Sequence, residues 1–171
     1  MARPIETLSE DAPLSLQDYT YFGLIPENED GEPAIYDGDT VTLIIDLGME
    51  QWVGPLHYRL YGIQAPEIRP LSTRKAGTAA RDYLRELIQR YYSYRAEAGD
   101  WPGNGWWIGV RTHKKLRPKN DYRPRACRGK FGRWLVELIG SEADGPTRQM
   151  VQRVNLNKLM VTAGHAGLYL P

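Results

Sequence analysis

Asp37-Gly38-Asp39-Thr40 sets two carboxylates on either side of a glycine, and a third acid, Glu67, follows at a distance. Carboxylates are hard oxygen donors suited to Ca²⁺ or Mg²⁺. Gly38 lets the chain turn so that both aspartates can face one point. Alone the tetrapeptide is a weak signal, because Asp-Gly is a common turn. Arg59 and Arg133 form a second pair. Each stands in a strand-like run, Tyr58-Arg59-Leu60-Tyr61 and Arg133-Trp134-Leu135-Val136, where folding does not require an arginine. A guanidinium fork suits phosphate oxygens, which it grips bidentately. The plain alternative for either is a surface strand arginine.

The stretch 113–130 holds Lys114, Lys115, Arg117, Lys119, Arg123, Arg125, Arg128 and Lys130 against Asp121 alone, a net of +7. Pro118 and Pro124 keep it from being a helix. Tyr122 offers a stacking surface. Such a loop gains free energy by displacing counterions from a phosphate backbone. Lys114, Lys115, Arg117, Tyr122 and Arg123 are therefore the expected contacts to nucleic acid, against the alternative of a merely solvated basic loop.

The overall charge of +1 conceals an asymmetry. Residues 1–39 carry ten acids and one base, Arg3, whereas residues 40–171 carry 21 bases and 11 acids. An acidic leader on a basic body points to a polyanionic partner for the body. At 171 residues and 42% hydrophobic, the chain has the length and composition of one globular domain. No apolar run approaches the ~18 residues of a membrane helix. The start lacks the basic and apolar regions of a signal peptide, so a cytoplasmic protein is expected. Cys127 is the only cysteine, and His57, His113 and His165 lie far apart. A disulfide scaffold and a cysteine zinc cluster are thereby excluded.

These side chains need elements to hold them. Residues 1–18 lack periodicity and read as a flexible acidic arm, with the folded domain spanning 19–171. Strands are expected at Tyr19–Ile25, Thr40–Ile45 and Leu56–Ile63, the last with Leu56, Tyr58 and Leu60 on one face. Gly48–Pro55 reads as the connection between the second and third. A long helix is expected at Thr73–Tyr94, with Ala76, Ala79, Ala80, Tyr83, Leu84, Leu87, Ile88 and Tyr91 inward and Ser72 or Thr73 as cap. Two more strands follow near Trp107–Thr112 and Arg133–Ile139. A short helix around Asn157–Ala163 ends at Gly164. The fold class is α+β, mainly β: a small barrel with helices packed on it.

Taken in order, the motifs resemble the staphylococcal nuclease family. The carriers are DGDT at 37–40 and Arg59-Leu60-Tyr61-Gly62-Ile63-Gln64-Ala65-Pro66-Glu67. Gly77, Ala80 and Tyr83 match the first helix, and Lys130-Phe131-Gly132-Arg133 the family's K-Y-G-R hairpin. Asn157 to Gly164, followed by His165-Ala166, matches the closing helix. The match in order and approximate spacing covers residues 36 to 169. The resemblance implies a five-stranded OB-fold barrel with one long and one or two short helices. It implies an endonuclease that hydrolyses phosphodiesters of DNA or RNA, single-stranded or frayed, usually with Ca²⁺, with Mg²⁺ or Mn²⁺ as alternatives. Asp39 would ligate the metal, Asp37 would support it without touching it, and Ala65 would give its carbonyl. Glu67 would position or deprotonate the attacking water, Arg59 and Arg133 would clamp the phosphate, and Lys130 would lie near the nucleotide.

Three departures from the pattern stand out. Gln64 occupies the place of an aspartate that ligates the metal, and its amide oxygen brings no charge, so weak metal binding is expected. Phe131 replaces a tyrosine. Tyr169 is the one candidate for the family's C-terminal tyrosines. The alternative these departures favour is an OB module that binds nucleic acid or protein with feeble or no cleavage. A monomer is expected. A nuclease inside a cell is tolerated through weak activity, scarce metal or a controlling protein partner.

Overall fold

The computed structural model describes residues 19–113, 133–144 and 149–169. The acidic arm 1–18 lies outside them, as do Lys114, Lys115, Arg117, Tyr122, Arg123 and Lys130 of the basic loop.

Alternation of side chains lays down the strands. In β3 (Thr40–Gly48), Val41, Leu43 and Ile45 are buried, while Thr42, Ile44 and Asp46 between them are half-exposed. In β7 (Gly105–His113) the inward set is Trp106, Ile108 and Val110. β1 (Tyr19–Pro26) pairs antiparallel with both β3 and β7. β4 (Gln51–Leu60) pairs antiparallel with β3 and runs parallel to β8 (Trp134–Asp144) through Tyr58↔Trp134, Arg59↔Leu135 and Leu60↔Val136. β8 then pairs antiparallel with β7, so the pairings β7-β1-β3-β4-β8 return on themselves. Short strands extend this ring: β2 (Ile35–Asp37) on β3, β6 (Tyr94–Ala96) on β7, and β9 (Gln149–Asn155) on β8.

Helix α1 (Arg74–Tyr91) buries Gly77, Ala80, Leu84, Leu87 and Ile88 against the sheet. Leu84 and Ile88 are fully enclosed. Each such side chain contributes about 1.5–3 kcal/mol by leaving water. Helix α2 (Leu156–Thr162) adds Leu156 and Met160 to the same core. Its N-cap is Asn155, whose side chain accepts from the Lys158 N–H at 3.1 Å. It closes at Gly164, φ +76°, with Gly164 N–H donating to Val161 O and His165 N–H to Met160 O. That left-handed cap with its paired bonds is the Schellman arrangement. The described residues are mainly β with two helices, and no described helix is long and apolar enough to cross a membrane.

Several expectations need correction. The hairpin between β3 and β4 is much tighter than Gly48–Pro55: residues 51–55 are already strand, and the turn falls at Met49 and Glu50, both at positive φ. Leu56 is 43% exposed, so the inward face of β4 begins at Tyr58. The strand stops at Leu60 because Gly62 turns the chain at φ +79°; Ile63–Gln64 is a separate strand, β5, paired with β10 (Gly167–Leu168). Ala76 and Ala79 are exposed, since α1 rests on a narrower stripe than its alanine count suggests. Thr73 sits at its N-cap position without capping it; the hydroxyl donates instead to the Glu67 carbonyl at 2.7 Å. Strands β2, β6, β9 and β10 lie outside the segments that the sequence marks as strand.

Asn157, fully buried in α2, ties the ring to the helix. Its amide oxygen accepts from Leu138 N–H at 3.1 Å, and its nitrogen donates to Tyr61 O at 2.9 Å and Val136 O at 3.1 Å. Asn157→Ala leaves buried backbone groups unmatched and should lower unfolding free energy by about 2–4 kcal/mol in urea titrations. An unchanged midpoint would mean that water replaces the amide at no cost.

Candidate functional site

The site starts at the turn between β2 and β3. Asp37 pairs with Thr40, and its Oδ1 accepts the Asp39 N–H at 3.2 Å, which shapes the turn locally. Gly38 serves close approach rather than a left-handed turn: a Cβ there would stand 2.7 Å from the Cβ atoms of both Ala65 and Ala80. The turn is thus pressed against the Ala65 segment and α1.

Asp39 is 4% exposed and carries the densest set of contacts in the site. Its Oδ2 accepts the Ala65 N–H at 3.1 Å and lies 3.2 Å from Arg59 Nη2. Its Oδ1 accepts from Thr40 Oγ1 at 3.3 Å and from Arg59 Nη1 at 3.5 Å. Arg59 thus faces the carboxylate with both terminal nitrogens. Its position follows from register: Arg59 is the cross-strand partner of Thr40, and Tyr58 beside it is buried. Arg133 arrives from the start of β8, 93 residues after Thr40, and donates from Nη1 to Thr40 Oγ1 at 2.8 Å. The parallel pairing of β8 with β4 brings it there.

Tyr169 completes this side. Its N–H donates to Gly62 O at 2.9 Å, and the Arg59 guanidinium carbon stands 5.4 Å from the ring centre, within cation–π range. Asp37, Asp39, Thr40, Ala65, Arg59, Arg133 and Tyr169 are accordingly one constellation. Gln64 is an exposed residue of β5, paired with Gly167. Glu67 is exposed, two residues beyond Ala65. Its backbone is held by the Thr73 hydroxyl and by Gly77, where a Cβ would meet Glu67 backbone atoms at 2.8 Å. Among the described residues its carboxylate makes no ion pair or hydrogen bond with the constellation. Thr40, which anchors Arg133, is the one functional residue that the sequence does not single out by its chemistry; its place directly after Asp39 at the start of β3 is the only signal.

The two aspartates offset the two arginines in charge. For a divalent cation the hard oxygens that the turn itself brings together are the carboxylates of Asp37 and Asp39. They suit Ca²⁺ or Mg²⁺ in kind. They are sparse in charge, because Asp39 is already compensated by Arg59, and among the described residues no three His, Cys, Asp or Glu side chains cluster.

Burial pushes the Asp39 carboxyl up from 3.8 to about 6; the Arg59 charge opposes this, Asp37 adds to it, and the Ala65 N–H opposes it again. A scan against protein-family models finds no match for the chain, and no curated protein matches it in sequence.

An acid whose folded value lies above its unfolded value favours the fold most when protonated. Stability from Asp39 is therefore present below about pH 4 and is lost as pH rises from about 4 to about 6, a few kcal/mol in all. Unfolding free energies measured by urea across that window should fall for the native chain, and Asp39→Asn should remove this component of the slope. In Arg59→Met the Asp39 carboxyl, followed by NMR, should titrate higher still. A lower midpoint there would contradict the electrostatic account.

Proposed function

We propose that the chain is a metal-assisted phosphodiesterase that cleaves DNA or RNA, on an OB-type barrel of the staphylococcal nuclease kind. The observation that carries this reading is the meeting of Arg59 and Arg133 at Asp39 and Thr40. Two guanidinium groups from distant strands form a receptor for an anion with several oxygens, which is what a phosphodiester offers. The barrel reading is supported by strand order: the first barrel strand neighbours the second and fourth, and the third runs parallel to the fifth.

In this reading Arg133, which donates from Nη1 to Thr40 Oγ1, stands at the phosphate with its positive charge. Arg59 is held by Asp39 and contributes its remaining donors. Both strengthen their hold as charge grows on the equatorial oxygens, which is how fixed donors lower a barrier. Glu67, exposed beside the Ala65 segment, accepts the proton of the attacking water at its carboxylate. Asp39, the Ala65 carbonyl and the Gln64 amide would hold the metal, with Asp37 supporting it without touching it; when bound, the metal polarises a phosphoryl oxygen and acidifies water. The leaving sugar oxygen takes a proton from solvent.

Denatured DNA incubated with and without Ca²⁺ tests the reading directly: fragments should appear only with metal. Arg133→Ala should slow cleavage by about 10²-fold or more, the scale of losing a transition-state donor. Near-normal turnover in that variant would remove the basis for its role.

Gln64→Asp restores a charged ligand. It should lower the Ca²⁺ concentration needed for half-maximal cleavage, because affinity follows ligand charge. If the native chain is saturated at micromolar Ca²⁺ and the variant gains nothing, Gln64 does not weaken the site. The second reading, a module that binds without cleaving, is favoured by the same Gln64 and by the full coordination of Asp39 by protein groups. It takes over if neither protein cleaves at any metal concentration.

A further inference from the structure

Beside the arginine pair lies a second feature that the proposed chemistry does not use. Tyr58 is buried in the core, so its neighbours His57 and Arg59 share the outward face of β4, ~6.6 Å apart along the strand. Their cross-strand partners on β3 are Thr42 and Thr40. The four residues make a two-by-two patch, with the phosphate-type groups at one end and an imidazole at the other. The His57 ring is steadied by a hydrogen bond between its Nδ1 and Thr42 Oγ1 at 3.1 Å. Tyr36, from β2, stands over this end: its ring centre lies 6.4 Å from that of His57, tilted by 51°. Tyr36 remains 54% exposed and His57 is exposed too.

We infer that Tyr36 and His57 form a base-stacking subsite for the nucleotide adjoining the phosphate held by Arg59 and Arg133. The inference rests on the phosphate reading of the arginine pair and deepens it. A ligand that satisfies both ends must carry an anionic tetrahedral group and, one strand step away, a flat apolar face. A nucleotide unit of a single strand has both. A duplex keeps its bases stacked on one another, so the subsite selects unpaired strands. Stacking on such rings tolerates any base, because every base has a π-face. The face therefore sets strand state and register rather than sequence.

The full chain is titrated, in the presence of a chelator so that no cleavage occurs, against a fluorescent oligothymidylate and against an abasic strand of equal length. Tyr36→Ala should weaken the thymidylate complex roughly tenfold, the scale of losing one stacked base, and leave the abasic complex unchanged. Tyr36→Phe, which keeps the ring, should bind as the native chain does. His57→Ala should weaken the thymidylate complex in the same selective way. Arg133→Ala should weaken both strands alike, since it touches phosphate.

The subsite is overturned if Tyr36→Ala binds thymidylate like the native chain, if it loses affinity equally for both strands, or if the native chain binds neither strand. Failure of the hydrolysis reading looks different. A native chain that never cleaves, yet loses base-dependent binding in Tyr36→Ala, supports the subsite and removes only the catalysis. A native chain that cleaves normally while Tyr36→Ala is silent keeps the catalysis and removes the subsite.

Discussion

One carboxylate organises this end of the molecule. Asp39 is buried, and a buried charge persists only when its lone pairs are met and an opposite charge stands near. Here the Ala65 N–H, the Thr40 hydroxyl and the Arg59 guanidinium meet it from three separate segments. Each of those segments is therefore held at a defined distance from the others. Removing any one leaves an acid in a dry place without its full complement, which is the condition most costly to a fold.

The cost of burying Asp39 is visible in its raised pKa, where desolvation outweighs the pull of Arg59. A structural ion pair between two groups of low exposure would gain by dropping that value instead. Placing the charges this way stores no backbone distortion, because the turn is made from ordinary Asx geometry and a close-packed glycine.

A different device ties α2 to the sheet. Asn157 bonds to β8 and to the Tyr61 carbonyl, and the Tyr61 N–H in turn donates to Val136 O at 2.7 Å. These bonds hold the end of β4 against β8, and that contact brings Arg133 beside Arg59. The C-terminal strand β10 then closes over β5 and lays Tyr169 against Arg59. Site and scaffold are thus continuous: the same register that closes the ring of strands sets the spacing of the two arginines.

Much of this was legible in the residues. The runs Thr40–Ile45 and Trp107–Thr112 marked the cores of β3 and β7, helical spacing named Leu84, Leu87 and Ile88, and Gly164 marked the end of α2, because these are local consequences of composition, period and backbone freedom. Arg59 and Arg133 stood out because a strand does not require a guanidinium, whereas Asp37 and Asp39, common in turns, gained weight only from the motifs that follow them in order. What the tertiary structure alone decided depends on non-local pairing. It chose which face of β4 begins at Tyr58, moved Thr73 from helix cap to anchor of Glu67, and made Thr40 the partner of Arg133. It also set Tyr36 over His57, two residues that no short-range rule connects. Those outcomes follow from strand register and from competition for buried hydrogen bonds, and both are settled only when distant segments meet.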